Sequence, residues 1–213
     1  MPRALEAGAA AQKKSLHADE RDTPRVRGLR GAYRRATRSL DLSRFKFVDE
    51  AGVNLALTRL FGRAPKGQCV CDSVPQNYGS NVTMLGALSV SGVEALMTVN
   101  GATDGDIFLV FVREVLAPTL SEGDVVVWDN LGAHRSQAVR EAVEERGASV
   151  IFLPPYSPDM NPIERCWSKI KTYLRTAKAR TREALEAAIK QALATVTESD
   201  ALSWFAHCGY ALN

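Results

Sequence analysis

The stretch Asp124-Val125-Val126-Val127-Trp128-Asp129 sets the tightest limit on what this chain can fold into. Four large apolar residues in a row leave no polar face. Such a run suits a central strand covered on both sides. A second short apolar run, Val150–Leu153, follows a helical pattern over Ser136–Arg146 that stops at Gly147, and glycine is the residue that most readily ends a helix. Asn161-Pro162 then opens another helix, with proline at its first position. Ile163, Trp167, Ile170 and Leu174 form that helix's apolar stripe. A helix over Arg182–Val196, with Leu185, Ile189 and Leu193 inward, and a short terminal helix carrying Trp204 and Phe205 complete the chain.

Upstream, Phe45–Val48 reads as a strand ending in Asp49-Glu50. Further strands are expected over Val53–Phe61, Val82–Val90 and Glu94–Val99, and a helix over Ile107–Leu120. Thr23–Leu40 places Val26, Leu29, Tyr33, Ala36 and Leu40 at helical spacing among arginines, an amphipathic basic helix. The order predicts an α/β fold: a mixed central sheet, antiparallel meander then parallel strands, with helices on both faces. A basic N-terminal helical arm over residues 1–43, loosely ordered at its Ala-rich start, precedes one domain over residues 44–213. The composition, 46% hydrophobic and 24% charged, is enough for a buried core.

A net charge of +3 conceals a strong asymmetry. Residues 1–48 carry twelve Lys and Arg against five acids, and residues 165–190 carry eight against two. The rest of the chain is therefore strongly acidic. Two basic stretches around an acidic centre suit a polyanion held near a cation site, although solvated helix faces would give the same pattern.

Several classes fall away. No apolar run reaches the roughly 18 residues of a membrane span, so no membrane partner is expected. The first residues lack the pattern of a secretory signal. Cys69 and Cys71 form a lone C-x-C, with Cys166 and Cys208 isolated. Reduced cytosolic thiols suit this pattern better than a zinc site. There is no H-E-x-x-H helix and no G-x-S-x-G elbow. Gly62–Gly67 copies the glycine spacing of a phosphate-binding loop, but Gln68-Cys69 stands where Lys-Ser/Thr is required.

The positive signal is a set of acids at element ends: Asp49, Asp129 and Glu164. Open α/β sheets place ligands at strand ends. Three carboxylates brought together repel one another unless cations sit between them, and hard divalent ions such as Mg²⁺ or Mn²⁺ suit oxygen donors. Two such ions about 4 Å apart suit in-line phosphoryl transfer. Each acid also has a plain structural reading: Glu164 stands at capping-box spacing from Asn161, Asp129 and Asn130 suit a turn, and Asp49-Glu50 suits a solvated strand end. Asp159 reads as the turn residue of Ser-Pro-Asp rather than as a ligand. His134 suits either the reaction centre or the surface.

Two longer motifs carry a family resemblance. Trp128-Asp129-Asn130-Leu-Gly-Ala-His134 and Leu153-Pro-Pro-Tyr-Ser-Pro-Asp-Met-Asn-Pro-Ile-Glu164-Arg-Cys-Trp167-Ser-Lys169 resemble the catalytic core of mariner-superfamily DDE transposases, nearest to the bacterial insertion sequence 630 family. The 34 residues between Asp129 and Glu164 fit, and Phe47-Val-Asp49-Glu50-Ala-Gly52 resembles the first-acid motif. The resemblance spans about Phe45 to Ala206. It implies a ribonuclease H-like fold whose catalytic and metal-holding triad is Asp49, Asp129 and Glu164, with two Mg²⁺ (or Mn²⁺) ions and Asn130 and His134 as possible accessories. It also implies cleavage at transposon ends and strand transfer into target DNA, without a covalent protein intermediate. Double-stranded DNA would be the partner, with a dimer assembled on it, in the bacterial cytoplasm and at the nucleoid when on DNA. Lys171 and Arg175, on the same helix face as Glu164, are candidate phosphate contacts. Full-length relatives carry two helix-turn-helix units ahead of this core, for which about 44 residues leave no room. The expectation is therefore a catalytic fragment, a split-frame product, or a non-catalytic DNA-binding remnant.

Overall fold

The computed structural model describes residues 18–79, 81–129 and 136–210. Five strands form one sheet: β1 (Phe45–Val53), β2 (Val82–Ser89), β3 (Gly92–Asn100), β4 (Val125–Trp128) and β5 (Ser149–Phe152). Their order is β3-β2-β1-β4-β5. β1, β2 and β3 are antiparallel neighbours, whereas β4 runs parallel to β1 and β5 parallel to β4. The apolar run Val125–Trp128 is thus an inner strand, with all four residues buried.

Alternation along the strands divides the core into two layers. Phe45, Phe47, Ala51 and Val53 of β1, with Val125 and Val127 of β4, point to one face. There they meet Ile163, Trp167, Ile170 and Leu174 of α4 (Ile163–Ala177), Leu185 and Ile189 of α5 (Arg182–Ala194), and Phe205 of α6 (Glu198–His207). Val48, Val126 and Trp128 point to the other face. They meet Phe108 of α2 (Gly105–Val110), the π-helical turn Phe111–Leu116 that continues it, and Val139 and Val143 of α3 (Gln137–Glu144).

α1 (Pro24–Thr37) packs on the face occupied by α4. Thr23 caps it by accepting a hydrogen bond from the Val26 N–H. Of the expected stripe, Val26 and Tyr33 are buried, but Arg30 and Thr37 complete the inward face in place of Leu29 and Ala36, which are exposed. The helix is rotated because Arg30 finds charged and polar partners in the body, which an apolar-spacing argument does not register. Two further expectations are corrected. β1 does not stop before Asp49 but continues through it to Val53, and Val53–Phe61 is not a strand. Past Val53, the exposed Leu60 and Phe61 have neither a pairing strand nor a covering layer. Pro162 sits at the N-cap of α4, one position before the helix.

Gly86 of β2 is a close point of the packing inside the sheet. It pairs with Asp49, and a Cβ there would lie 2.7 Å from the Trp167 ring and 3.3 Å from the Ala95 carbonyl oxygen. Trp167 is 2% exposed, so its ring has little room to retreat. Gly86→Ala should therefore destabilise the fold by about 1–3 kcal/mol. Gly28, which has open space around it in α1, should gain roughly 0.5–1 kcal/mol on change to Ala. Urea denaturation of the two variants should give shifts of opposite sign, and a neutral Gly86→Ala would contradict the close packing of Trp167.

Candidate active site

The β1–β4 register brings two of the three acids together. Phe45, Lys46 and Phe47 pair with Val125, Val126 and Val127. Two residues further on, the same register sets Asp49 beside Asp129, immediately past β4. Residues of like parity point to one face of a sheet. Asp49 lies between Phe47 and Ala51, which both face α4. The first turn of α4 supplies Glu164 on that side.

The three carboxyls act on one another. Asp49 has its pKa pushed up to about 7, first by burial, then by the negative charge of Glu164, with a smaller push from Asp129. The Asp49–Glu50 backbone and the Trp167 indole N–H work in the opposite direction. That N–H is buried and completes no well-formed hydrogen bond. Glu164 keeps much of its surface in solvent. Desolvation on its inner side raises its pKa, Lys171 lowers it, and Asp129 adds a further upward push.

Glu164 does not serve as a cap. The N-cap of α4 makes no side-chain hydrogen bond, and the contact between Asn161 and Glu164 is through the backbone, from the Glu164 N–H to the Asn161 carbonyl at 3.2 Å. The Asn161 Oδ1 is buried without a partner among the described residues. Beside it lies a small cleft of about 290 Å³, lined by Asn161, Glu164, Arg165, Ser168 and His207. A larger cleft of about 990 Å³ lies elsewhere, between the end of α1 and Tyr210, away from the three acids.

Among the described residues, no three His, Cys, Asp or Glu groups stand close enough to hold one ion as they are placed. The donor set itself fits hard divalent cations. It is all oxygen and carries three formal negative charges, and two of its members raise the proton affinity of the third. Lys171 and Arg175 lie half-buried along α4 from Glu164 and form no ion pair among the described residues. Asn130 and His134 lie outside the described residues.

Asp159 is the residue whose partner the sequence did not reveal. It accepts two hydrogen bonds from Arg30, at 2.9 and 2.7 Å, and one from Arg21 at 3.3 Å. The guanidinium of Arg30 holds its carboxyl below the ordinary range. The available signal was the spacing of Arg30 four residues after Val26 and three before Tyr33, which puts a charge on an inward stripe. Trp167 was legible as a core residue, but its approach to Asp49 depends on the register of β1 against β2.

Comparison with known proteins agrees with this fold. The Tcb1 transposase of Caenorhabditis briggsae is 26% identical over 168 residues, which are 75% of this chain and 60% of that protein. Among solved structures, the Mos1 transposase paired-end complex superposes with a TM-score of 0.69 at 15% identity, covering 94% of this chain and 64% of that one. The catalytic domain of Mos1 mariner transposase gives 0.60 at 16% identity, covering 94% of this chain and all of that one. The chain thus spans about three fifths of the length of Tcb1, and its fold is the ribonuclease H-like one expected from the sequence. The sequence pattern of DDE superfamily endonucleases matches residues 44–186, from the start of the sheet into α5. On that match the chain belongs to the DDE superfamily endonucleases.

Proposed function

We propose that this chain is the catalytic domain of a Tc1/mariner-type transposase, of the insertion sequence 630 branch, that cuts transposon ends and joins them to target DNA. Asp49, Asp129 and Glu164 would hold two Mg²⁺ or Mn²⁺ ions. The observation that carries this reading is the electrostatic strain on Asp49, whose carboxyl is held near neutrality by burial and by Glu164 and Asp129. A site that raises the pKa of its own acid is poorly suited to structural pairing and well suited to a cation. When bound, such ions would activate an attacking oxygen and stabilise a leaving oxygen at a phosphodiester. Mos1, which shares the fold, is known in complexes with its transposon end and with Mn or Mg.

The protein's own groups supply charge and alignment. The parallel β1–β4 pair provides a rigid platform for two carboxylates, and the start of α4 provides the third. Much of the basic charge after Glu164 is already engaged: Lys169 with Asp200, Lys178 with Asp72, Arg180 with the Leu55 and Leu57 carbonyls, Arg182 with Glu186. Lys171 and Arg175 stay available on the Glu164 side for DNA phosphates. Assembly as a dimer on DNA, and action at the bacterial nucleoid, belong to the same proposal.

Three outcomes follow from this reading. The full chain should nick supercoiled plasmid in Mn²⁺ or Mg²⁺, and Asp129→Ala should abolish the nicking. A wild-type trace identical to the mutant's would remove the enzymatic reading and leave a DNA-binding remnant. Replacing Lys171 or Arg175 by Ala should each reduce the salt slope of DNA binding by roughly one unit. Two unchanged slopes would exclude these residues as phosphate contacts.

The third outcome concerns pH. In the unfolded chain Asp49 titrates near 3.8, and in the fold near 7. Between those values the folded protein holds a proton that the unfolded chain has lost, so stability falls as pH rises through this window. In chelator at pH 8, Asp49→Asn should be more stable than wild type by on the order of 2 kcal/mol, with the gap closing near pH 4. Thermal melts across pH would show it, and Mn²⁺ should narrow the gap at pH 8. Parallel pH profiles for the two proteins would contradict the strain on Asp49.

A further inference from the structure

We infer that Arg30 is a positioning residue for Glu164: by gripping Ser157 and Asp159 it fixes the turn from which α4 starts, and so the place of the Glu164 carboxylate. This rests on the reading of Glu164 as a metal-holding acid.

The turn before α4 needs an external hold. Tyr156 is left-handed, with φ of 54°, a conformation that costs a non-glycine residue roughly 1–2 kcal/mol. Strain of that kind persists only where the surroundings over-determine it. The N-cap of α4 supplies no side-chain bond. Arg30 does supply the hold. Its Nη1 donates to the Ser157 Oγ at 2.7 Å and to Asp159 at 2.9 Å, and its Nη2 donates to Asp159 at 2.7 Å. The Arg30 side chain is 7% exposed. A fork-shaped donor pairing with a carboxylate in this way fixes direction as well as distance.

From the gripped residues to Glu164 the backbone is continuously bonded. Met160 donates to the Ser157 carbonyl at 3.0 Å, Asn161 to Pro158 at 3.1 Å, Glu164 to Asn161 at 3.2 Å and Arg165 to Pro162 at 3.1 Å. A displacement at Ser157 or Asp159 therefore carries through to Glu164. The same helix holds the turn a second time: the Tyr33 and Tyr210 hydroxyls lie 2.9 Å apart, and Tyr210 donates to the Met160 carbonyl at 2.8 Å. α1 thus fastens the side of the site that β1 and β4 do not supply.

A residue that only stabilised α1 would affect melting temperature and nothing else. The test therefore reads binding of Mn²⁺ alone to the full chain, by titration followed with electron paramagnetic resonance, beside thermal melts. Arg30→Ala should weaken Mn²⁺ binding about tenfold, the loss typical of removing a group that orients a metal ligand. Arg30→Lys, which keeps the charge but not the fork, should recover part of that loss. Val26→Ala, which removes a buried side chain of the same helix but none of the hydrogen bonds to the turn, should lower the melting temperature and leave Mn²⁺ binding unchanged. Glu164→Gln tests the underlying reading. If Glu164→Gln weakens Mn²⁺ binding and Arg30→Ala does not, the positioning role is overturned and the metal site stands. If Glu164→Gln leaves Mn²⁺ binding unchanged, the metal-site reading falls and the positioning role falls with it.

Discussion

The parallel pairing of β1 with β4 is the constraint on which the rest of the molecule depends. It is a three-residue register of buried side chains, in which Phe45 pairs with Val125, Lys46 with Val126 and Phe47 with Val127. Burial on both faces makes this register hard to shift, because a slip of one residue would turn every side chain to the opposite layer. Asp49 and Asp129 are carried at the end of that register. Their proximity is thus enforced by hydrophobic packing several residues away, which can oppose the repulsion between them. The raised pKa of Asp49 comes first from burial and then from Glu164, and Asp129 adds a smaller push.

The middle strand of the meander makes room for the arrangement. β2 must pass Asp49 closely while Trp167 of α4 lies across it, and only a residue without a Cβ fits at position 86. Trp167 then has two roles that follow from one placement. Its ring fills the core beneath the acids, and its N–H faces the carboxyl of Asp49 and moderates the rise in that group's pKa. The residue between Glu164 and the centre of the sheet therefore couples packing to electrostatics: moving the ring would alter both.

Much of this was legible in the sequence because it follows from period and composition. The strand Val125–Trp128, the apolar stripe of α4 and the strand expected over Val82–Val90 are local patterns, and the fold keeps each of them. What was not legible depends on partners far away in the chain. β1 reads as ending at Asp49 because two acids look like a strand end, yet pairing with β2 from Asp49 to Val53 carries the strand onward. Past Val53, residues 54–61 have strand-like composition but pair with no strand among the described residues. α1 shows the same limit. Its apolar spacing favours Leu29 and Ala36, but the ion pair and hydrogen bonds of Arg30 turn the helix so that a charged residue lies inward. Apolar periodicity measures one contribution, and here a bidentate pair made by a buried arginine outweighs it.

That rotation changes how the charge of the chain should be understood. Taken as a sum, the N-terminal segment is simply basic. In the fold its arginines divide by direction. Arg21 and Arg30 turn toward the body and neutralise Asp159, while Arg25, Arg34, Arg35 and Arg38 stay exposed. α4 and the stretch after it divide in the same manner, with Lys169, Lys178, Arg180 and Arg182 tied to the protein and Lys171 and Arg175 unpaired among the described residues. A polyanion approaching this face would therefore meet fewer cations than the sequence counts. Those it does meet are carried on α1 and α4, whose inward sides hold the turn beneath Glu164. The exposed cations and the hydrogen bonds that hold the turn before α4 are in this way divided between opposite sides of the same helices.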